Sequence, residues 1–257
     1  MKVFITGASS GIGEALARHY AATGGTLGLF ARRSAALDAL RASLSGATCE
    51  TYAGDVRDAA ALVIAAEDFI RRFGAPDIVF ANAGISVGTL TSHAEDGEVF
   101  RAVVDTNLLG LVHTFQPFLG AMLAAKRGKL VGIASVAGFR GLPGAGAYSA
   151  SKAGAIAYLE SLRVELAGSG VKVITICPGY IDTPMTTGNP YRMPFLLTAE
   201  NAAQRISRAV ARGGRFHVIP WQMALVGRVF RALPRPLYDR LLVRAKRKPR
   251  VDGTDSR

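Results

Sequence analysis

Residues that form disulfides or metal sites are scarce in this sequence. Its 257 residues include two cysteines and four histidines. Cys49 and Cys177 stand far apart, and neither has a histidine or a second cysteine at ligand spacing. We therefore expect no disulfide framework and no bound metal, and we interpret both cysteines as small core residues.

The sequence also lacks the segments that direct a chain into or through a membrane. Met1 leads directly into the strand-like stretch Lys2 to Thr6, without a charged and then apolar leader. No apolar run of about 18 residues, the length that spans a bilayer, occurs in the chain. These absences predict a protein that is neither secreted nor membrane-spanning, and hence a cytoplasmic location.

The composition is that of a folded globular protein. Hydrophobic residues make up 49% of the chain and charged residues 19%, which excludes a disordered chain. The length allows one large α/β domain or two small ones. We expect a main domain over residues 1–220, a helical extension over 221–250 and a disordered polar tail over 251–257.

Acidic residues are few, and the net charge is +12. The excess is concentrated near the end of the chain, where nine basic residues between Val226 and Arg250 are accompanied by one acid, Asp239. The basicity therefore belongs to the extension and not to the main domain. No base-reading motif accompanies it, so we do not expect a nucleic acid partner.

A glycine-rich turn follows the first predicted strand. Val3-Phe4-Ile5 is short and apolar, as in a strand buried on both faces. It leads into Thr6-Gly7-Ala8-Ser9-Ser10-Gly11-Ile12-Gly13, and an amphipathic run from Glu14 to Ala22 follows. Glycines at these positions permit a tight turn and let a helix N-terminus approach a pyrophosphate. The pattern predicts a dinucleotide site, although a glycine trio alone also occurs in ordinary strand-to-helix loops.

No acidic residue ends the second predicted strand. Proteins that use NAD usually present a carboxylate here to the ribose 2′-hydroxyl, whereas those that use NADP place an arginine near the 2′-phosphate. After Thr26 to Phe30 the sequence reads Ala31-Arg32-Arg33. This favours NADP, with Arg32 as the contact and Ser9 or Arg33 assisting. The other interpretation is an arginine pair that caps a solvated helix.

Strand and helix patterns alternate along most of the chain. Further helices are predicted at Ser34 to Leu44, Asp58 to Arg72, Glu98 to Lys126 and Tyr148 to Ala167, and further strands at Thr48 to Ala53, Pro76 to Ala81, Lys129 to Ala134, Val171 to Cys177 and Phe216 to Ile219. This alternation predicts an α/β fold, a doubly wound parallel sheet of about seven strands with helices on both faces. The ligand crevice of such a sheet lies at the carboxyl ends of its strands.

A tyrosine and a lysine four residues apart form the candidate catalytic pair. Tyr148 and Lys152 would project from one face of a helix. Lowering a tyrosine pKa from about 10 to neutrality takes about 4 kcal/mol, which an ammonium about 4 Å away can supply. The pair would then act as a general acid/base near pH 7, with Ser135, after a predicted strand, holding a substrate oxygen. The same spacing is also common in surface helices.

The combined motifs resemble those of the short-chain dehydrogenase/reductase family. The matching order is Thr-Gly-x-x-x-Gly-x-Gly, Asn-Ala-Gly, an asparagine, a serine, Tyr-x-x-x-Lys and Pro-Gly, across about residues 2 to 220. The resemblance implies a Rossmann-like fold and hydride transfer between a nicotinamide and a ketone, aldehyde or secondary alcohol. It also implies a homodimer or homotetramer that pairs through the helices containing Asn107 and Tyr148.

The resemblance assigns catalytic roles to four residues. Tyr148 exchanges the proton of the alcohol or carbonyl, and Ser135 binds the reacting oxygen. Lys152 holds the nicotinamide ribose and lowers the pKa of the tyrosine. Asn107 orders a water-based proton relay.

The resemblance also implies a set of cofactor-binding residues. They are Gly7, Ser9, Ser10, Gly11, Ile12, Gly13, Arg32, Arg33, Asp55, Val56, Asn82, Ala83, Gly84, Tyr148, Lys152, Pro178, Gly179, Ile181 and Thr183. Within this set Asp55 contacts the adenine, and Ile181 and Thr183 meet the nicotinamide carboxamide.

The stretch after Thr183 combines proline with exposed-looking apolar residues. Residues 184–197 contain three prolines together with Met185, Met193, Phe195 and Leu196. This pattern is typical of a mobile lid over an apolar substrate. A lid that packs on its own domain would have the same composition.

Two amphipathic helical patterns follow Trp221. Their apolar positions are Leu225, Val226, Val229, Phe230 and Leu233, then Leu237, Tyr238, Leu241 and Leu242, with arginines on the opposite sides. An apolar stripe beside a basic face is typical of a helix in a membrane interface, where each basic residue near an anionic leaflet adds about 1 kcal/mol. We favour an anionic membrane surface as the partner of residues 221–250, which would put the protein on the inner face of a membrane. The stripes could instead cover the domain's own cleft or a second subunit.

These observations predict a single-domain oxidoreductase that uses NADP(H). Its substrate would be a small carbonyl or alcohol compound of lipophilic character. Two alternatives are a dinucleotide-binding redox sensor without turnover and an adaptor that acts through the basic extension. The complete set Asn107, Ser135, Tyr148 and Lys152 argues against the sensor.

Overall fold

A seven-stranded parallel sheet forms the centre of the computed structural model, which describes residues 1–250. The strands in chain order are β1 (Lys2–Thr6), β2 (Thr26–Ala31), β3 (Cys49–Ala53), β4 (Ile78–Ala81), β5 (Gly128–Ile133), β6 (Val171–Pro178), β7 (Ile181–Asp182), β8 (Leu197–Thr198) and β9 (Phe216–Ile219). The main sheet has the order β3-β2-β1-β4-β5-β6-β9, and β7 pairs with β8 separately. The predicted doubly wound parallel sheet is confirmed, and the tail over 251–257 lies outside the described residues.

Helices cover both faces of the sheet. They are α1 (Gly11–Ala22), α2 (Ser34–Ser43), α3 (Ala59–Phe73), α4 (Asp96–Val104), α5 (Gly110–Ala124), α6 (Gly146–Glu165), α7 (Ala199–Arg212), α8 (Gln222–Ala232) and α9 (Arg235–Leu242). One apolar core joins the sheet to α1, α2 and α7, and a second joins it to α3, α5 and α6. The central strands are buried on both faces, which explains their near-continuous apolar sequences.

The order of the strands places the ligand crevice. From β1 the chain goes outward to β2 and β3, and it then returns to β4 on the other side of β1. Adjacent loops therefore diverge above the carboxyl ends of β1 and β4, and a crevice opens between them. Cys49 on β3 and Cys177 on β6 are buried and unpaired, which confirms them as core residues.

The predicted helix from Glu98 to Lys126 is divided into three parts. Helices α4 and α5 are joined by a π-helical segment, Asp105–Leu109, which holds Asn107. A π-helical turn adds a residue to the helix and shifts the direction of the side chains that follow. The shift is invisible in the sequence because apolar residues fill both possible faces after it.

The C-terminal helices pack on the main domain. Met223 and Tyr238 are buried, and the Tyr238 hydroxyl donates a hydrogen bond of 2.5 Å to the carbonyl of Gly141. The Arg140 guanidinium lies 3.8 Å from the centre of the Tyr238 ring, a cation–π arrangement. Among residues 1–250 no helix has both the length and the apolar character needed to cross a bilayer.

Candidate active site

A cleft of about 270 Å³ opens at the carboxyl ends of the strands. We call it the cofactor cleft. Its wall comes from the turns after β1, β2, β3, β4, β5 and β6, together with the first turn of α6. The predicted cofactor and catalytic residues all line this wall except Gly13 and Asn107, which lie behind it. The convergence expected from the sequence is therefore present in the structure.

The glycine turn after β1 has no room for larger residues. Gly7 and Gly11 have φ of +67° and +58°, which disfavours other residues. A Cβ on Gly7 would lie 2.7 Å from the Cα of Ala83, and one on Gly13 would lie 2.2 Å from the carbonyl oxygen of Gly7. Gly13 is thus required for close packing of α1 on β1, whereas Gly7 and Gly11 shape the surface of the cleft.

The N-terminus of α1 points its free amides at this cleft. Ser10 precedes the helix in extended conformation, and its side chain does not cap the first turn. The first N–H groups of a helix lack partners within the helix and favour anions. The unused donors of Gly11, Ile12 and Gly13 fit the pyrophosphate of a dinucleotide.

Asn82 locks the glycine turn to the neighbouring strand. Its Nδ2 donates hydrogen bonds to the carbonyls of Thr6 at 3.0 Å and Gly7 at 3.3 Å. The backbone N–H of Asn82 also donates to the Thr6 hydroxyl at 3.2 Å. Asn82 therefore holds the wall of the cleft in place through its side chain.

Two arginines lie at the outer end of the cleft. Arg33 donates to the carbonyl and the hydroxyl of Ser9, at 3.1 and 3.2 Å, so it braces the glycine turn. Arg32 is exposed on the cleft wall and forms no ion pair with any residue of 1–250. Its guanidinium is available to an anion.

Asp55 lies on the opposite side of this end of the cleft, where it is paired with Arg57 at 2.7 Å. Burial alone would raise the pKa of Asp55, but the hydrogen bonds from Arg57 outweigh it and hold the pKa below its usual value. The carboxylate is thus charged and fixed beside the cleft.

Tyr148, Ser135 and Lys152 meet at the inner end of the cleft. Tyr148 and Lys152 project from α6, and Ser135 follows β5. The Ser135 hydroxyl accepts a hydrogen bond of 3.1 Å from the N–H of Ala137, which fixes its position at the start of a short 3₁₀ turn. The predicted candidate triad is therefore assembled on one wall.

The electrostatic relationship of Tyr148 and Lys152 differs from the prediction. The Lys152 ammonium lies 5.8 Å from the centre of the tyrosine ring and donates instead to the carbonyl of Ile133 at 2.8 Å. Burial raises the pKa of the Tyr148 phenol, an effect that the Ser135 hydroxyl only partly opposes. The lowering of the tyrosine pKa by Lys152 that the spacing predicts is therefore not seen in this structure, in which burial sets the direction of the shift.

Burial has the opposite effect on the lysine. Lys152 is 4% exposed, and desolvation of its ammonium lowers the pKa to about 8. The Lys152 ammonium can therefore lose its proton near pH 8. The neighbouring Tyr148 phenol keeps its proton to a higher pH than usual.

Asn107 forms a buried network behind the cleft. Its Oδ1 accepts from the N–H of Ile85 at 2.8 Å, while its Nδ2 donates to the carbonyl of Ile85 at 2.9 Å and to the Ser151 hydroxyl at 3.0 Å. A Cβ on Gly84 would lie 3.1 Å from Asn107 Oδ1 and 3.6 Å from Lys152 Nζ. A side chain at position 84 would therefore crowd Asn107 and Lys152, the second of which lines the cleft.

A second cavity of about 360 Å³ adjoins the cofactor cleft and shares Ser135, Tyr148, Gly179, Met185 and Thr186 with it. We call it the apolar chamber. Its other walls are the 3₁₀ turn after β5, the loop between β7 and β8, and helices α8 and α9 with the segment that follows them. The position beside Tyr148 makes it the candidate substrate site.

The C-terminal apolar stripes divide between the chamber and the surface. Val226, Phe230 and Leu242 line the chamber, whereas Leu225 and Val229 are exposed on the other side of α8. Of the alternatives left open by the sequence, covering of the domain's own cleft therefore holds for two of the five apolar positions of the first stripe and for one of the four of the second.

Several residues of the site were not predicted. The cofactor cleft also includes Ala31, Gly54, Ile85, Thr106, Ile133, Ala134, Pro184, Met185 and Thr186. Most of them adjoin a predicted residue, so their place at a strand end was a usable signal. Ser151 adjoins the predicted Lys152 but not a strand end, and Lys248 has neither signal, because their roles depend on contacts across the fold.

Comparisons with known proteins agree with this geometry. A family model described as short chain dehydrogenase matches residues 1–192. An uncharacterized oxidoreductase of Myxococcus xanthus is 40% identical over 237 residues, covering 91% of this chain and 93% of that protein. A putative ketoacyl reductase of the monensin polyketide synthase of Streptomyces virginiae is 38% identical over 185 residues, 70% of each chain.

A solved structure is similar in fold over most of the chain. A variant of actinorhodin polyketide ketoreductase with NADPH superimposes with a TM-score of 0.77 at 27% sequence identity. The match covers 85% of this chain and 95% of that chain.

Proposed function

Since the chain belongs to the short-chain dehydrogenase family, and is therefore an oxidoreductase of carbonyl and alcohol groups, we propose that it is an NADP(H)-dependent reductase of lipophilic ketones or aldehydes. The observation that carries the proposal is the meeting of Ser135, Tyr148 and Lys152 where the cofactor cleft joins the apolar chamber. A nicotinamide dinucleotide bound in the cleft supplies the hydride.

Tyr148 acts as the proton donor to the substrate oxygen. A tyrosine phenol ordinarily titrates near pH 10 and burial raises this pKa further, so Tyr148 carries a proton at neutral pH that it can donate to an oxygen that gains negative charge. Ser135 holds that oxygen by hydrogen bonding. In the reverse direction the phenol must first lose its proton, which the cationic Lys152 favours.

Lys152 and Asn107 serve to return a proton to Tyr148 after it has donated its own to the substrate. With a pKa of about 8, Lys152 exchanges protons with solvent near neutrality, and it also binds the ribose next to the reacting ring. Asn107 fixes Ile85 and Ser151 on either side of this lysine. A proton path from Lys152 past Asn107 would restore Tyr148 after each turnover.

The preference for NADP over NAD is supported by Arg32. The end of β2 carries no carboxylate for a ribose diol, and the Arg32 guanidinium is available on the cleft wall. Arginine binds a phosphate through two parallel hydrogen bonds. The similar ketoreductase with NADPH is consistent with this choice.

A spectroscopic screen tests the proposed activity. Purified protein would be mixed with NADPH and a panel of apolar ketones and aldehydes, and loss of NADPH absorbance would be followed. Turnover with at least one carbonyl compound, and much less with NADH, is expected. Binding of NADPH without turnover of any compound would support the redox sensor instead. Absence of both NADPH binding and turnover would support the adaptor.

A second proposal concerns the outer side of α8 and α9. Trp221 is 69% exposed and Leu225 59% exposed, and Val229, Leu237 and Leu241 extend this apolar surface. Five basic residues of α8, α9 and the residues just after them are also exposed: Arg228, Arg231, Arg235, Arg240 and Arg244. We infer that this surface, the outer apolar face, binds an anionic membrane from the cytoplasmic side.

The proposed homodimer or homotetramer would use α4, α5 and α6. Phe100 on α4, Leu109 after it and Val164 on α6 are exposed apolar residues on these helices. Their burial in a partner would reduce the exposed apolar surface. Light scattering measures the mass directly.

A further inference from the structure

The apolar chamber has an unusual distribution of charge. Its wall consists mainly of apolar and aromatic groups, among them Phe139, Tyr180, Met223 and Phe230. No aspartate or glutamate of residues 1–250 lines it, whereas four cations do: Arg140, Arg192, Lys246 and Lys248. An apolar pocket whose charged residues are all cations favours a ligand that combines an apolar body with negative charge.

Three of these four cations already have other roles or lie in solvent. Arg140 donates to the carbonyls of Phe230 and Leu233 at the end of α8, so it serves as a structural link. Arg192 and Lys246 are exposed at the rim. Lys248 is the one that projects inward.

Lys248 is half-buried without an anionic partner. Its Nζ donates to the Ser86 hydroxyl at 2.9 Å and to the carbonyl of Met185 at 3.1 Å, both neutral groups. It forms no ion pair with any carboxylate of residues 1–250. Burial lowers its pKa, as expected for a cation whose lost hydration is only partly replaced. A bound anion would complete its environment.

The position of Lys248 relates it to the reaction. Met185 lines both the cofactor cleft and the chamber, so the ammonium lies near the junction at which Tyr148 and Ser135 act. Ser86 follows Ile85, which is fixed by Asn107. A substrate with its carbonyl at Tyr148 and its apolar part in the chamber could therefore reach Lys248 with a second polar group.

The segment that carries Lys248 is held firmly across the chamber. We call residues 243–250 the strap. The N–H of Gly88 donates to the carbonyl of Pro249 at 3.0 Å, and a Cβ on Gly88 would lie 2.3 Å from the carbonyl oxygen of Lys248. At the end of the strap Arg250 pairs with Asp96 at 2.8 Å and with Glu95 at 2.9 Å. Asp96 is 5% exposed, whereas Glu95 is exposed, so only the Arg250–Asp96 pair is shielded from solvent.

We propose that the substrate is an apolar carbonyl compound that also bears a carboxylate, and that Lys248 is the residue that binds this carboxylate. The inference rests on the proposed reductase function and deepens it by naming the substrate class. Lys248 is the one inward-projecting cation of the chamber, and its two hydrogen-bond partners are neutral, so a single carboxylate is sufficient to pair with it. Lys248 thereby selects the substrate without taking part in proton or hydride transfer.

A matched pair of substrates tests the proposal. Reduction of benzoylpropionate and of its methyl ester would be compared by steady-state kinetics with NADPH. The wild-type protein should have a KM for the acid about tenfold or more below that for the ester, because a half-buried ion pair is lost with the ester. An equal or lower KM for the ester would overturn the proposal while leaving the reductase function intact.

Substitution of the lysine supplies the second arm. Lys248→Met should raise the KM for the acid about tenfold or more and change the KM for the ester less than about threefold. Lys248→Gln, which can still donate to Ser86, should have the same effects as Lys248→Met. It takes the place of the methionine variant if that variant does not fold. Lys126→Met, an exposed lysine before β5 at the opposite end of the sheet, is the control and should change neither. Equal effects of Lys248 substitution on acid and ester would contradict the proposal.

A binding measurement separates this inference from the proposed function. If neither compound is reduced, calorimetry with phenylbutyrate and the NADPH-loaded protein decides. Binding that weakens about tenfold or more in Lys248→Gln supports the carboxylate site even when the reductase function fails. Absent binding, or equal binding to both proteins, overturns it.

Discussion

The ammonium of Lys152 donates a hydrogen bond of 2.8 Å to the backbone carbonyl of Ile133. This bond joins α6 to the end of β5 and holds the ammonium 5.8 Å from the centre of the Tyr148 ring. Because the group is buried, its pKa falls to about 8. The protein therefore contains a cation whose burial costs stability at neutral pH but keeps it able to exchange protons.

This buried ammonium makes stability depend on pH. Between pH 8 and the unfolded pKa of 10.5, the unfolded chain binds a proton at Lys152 that the folded chain does not. The free energy of unfolding therefore rises with pH in this window and is flat below it. From pH 7.5 to 9.5 the wild type should gain about 2 kcal/mol relative to Lys152→Met. Urea unfolding of both proteins measures the difference, and parallel curves would be inconsistent with it.

Removal of the Tyr148 hydroxyl should abolish most turnover. Tyr148→Phe keeps the ring and loses the proton donor, so kcat should fall about 100-fold or more. The NADPH dissociation constant, measured by fluorescence, should stay within about twofold, since the ring keeps its packing. Tyr158→Phe on the same helix, which lies away from the cleft wall, provides the control. Unchanged turnover in Tyr148→Phe would reject the proposed proton donor.

The cofactor preference should depend on Arg32. Arg32→Ala should raise the KM for NADPH about tenfold and leave the KM for NADH nearly unchanged, because only NADPH has the phosphate. Arg41→Ala, an exposed arginine on α2 outside the cleft wall, should affect neither. Equal effects of Arg32→Ala on both cofactors would show that Arg32 does not contact the phosphate.

Membrane binding should depend on the outer apolar face. The wild-type protein should sediment with phosphatidylglycerol vesicles at low salt and be released as salt screens the arginines. Leu225→Ser combined with Val229→Ser should weaken sedimentation, whereas Ile64→Ser, an equally exposed residue on α3, should not. Point substitutions are preferable to deletion because α8 also lines the chamber. Wild-type protein that stays in the supernatant at low salt would disprove membrane binding.

The sequence predicted the fold well because the strands carry their own signal. Strands buried on both faces must be almost entirely apolar, so the stretch predicted at Val171 to Cys177 matches β6 (Val171–Pro178) to within one residue, and all of β6 but Lys172 is buried. The cofactor cleft was predictable for a related reason. Its residues follow strand ends, and the topology of a parallel sheet brings those ends together.

The chamber and the strap could not be predicted in the same way. An amphipathic stripe shows that a helix buries one face but not what covers it, so Val226 and Val229 looked equivalent. Lys248 and Arg250 belong to a basic run in which most neighbours are exposed, and nothing local marks the two that fold inward. Their partners, Ser86 and Asp96, lie more than 150 residues earlier in the chain.

The two cavities are built largely from different parts of the chain, which suggests how the substrate preference could be re-engineered. The proton donor and the dinucleotide wall come from the first part of the chain, within residues 1–192, whereas α8, α9 and the strap close the chamber from beyond it. A chimera in which residues 193–250 are replaced by those of a relative should therefore reduce the relative's carbonyl compounds. Its proton donor and its cofactor cleft should be unchanged. The same separation would let the substrate change during evolution while the catalytic residues stay the same.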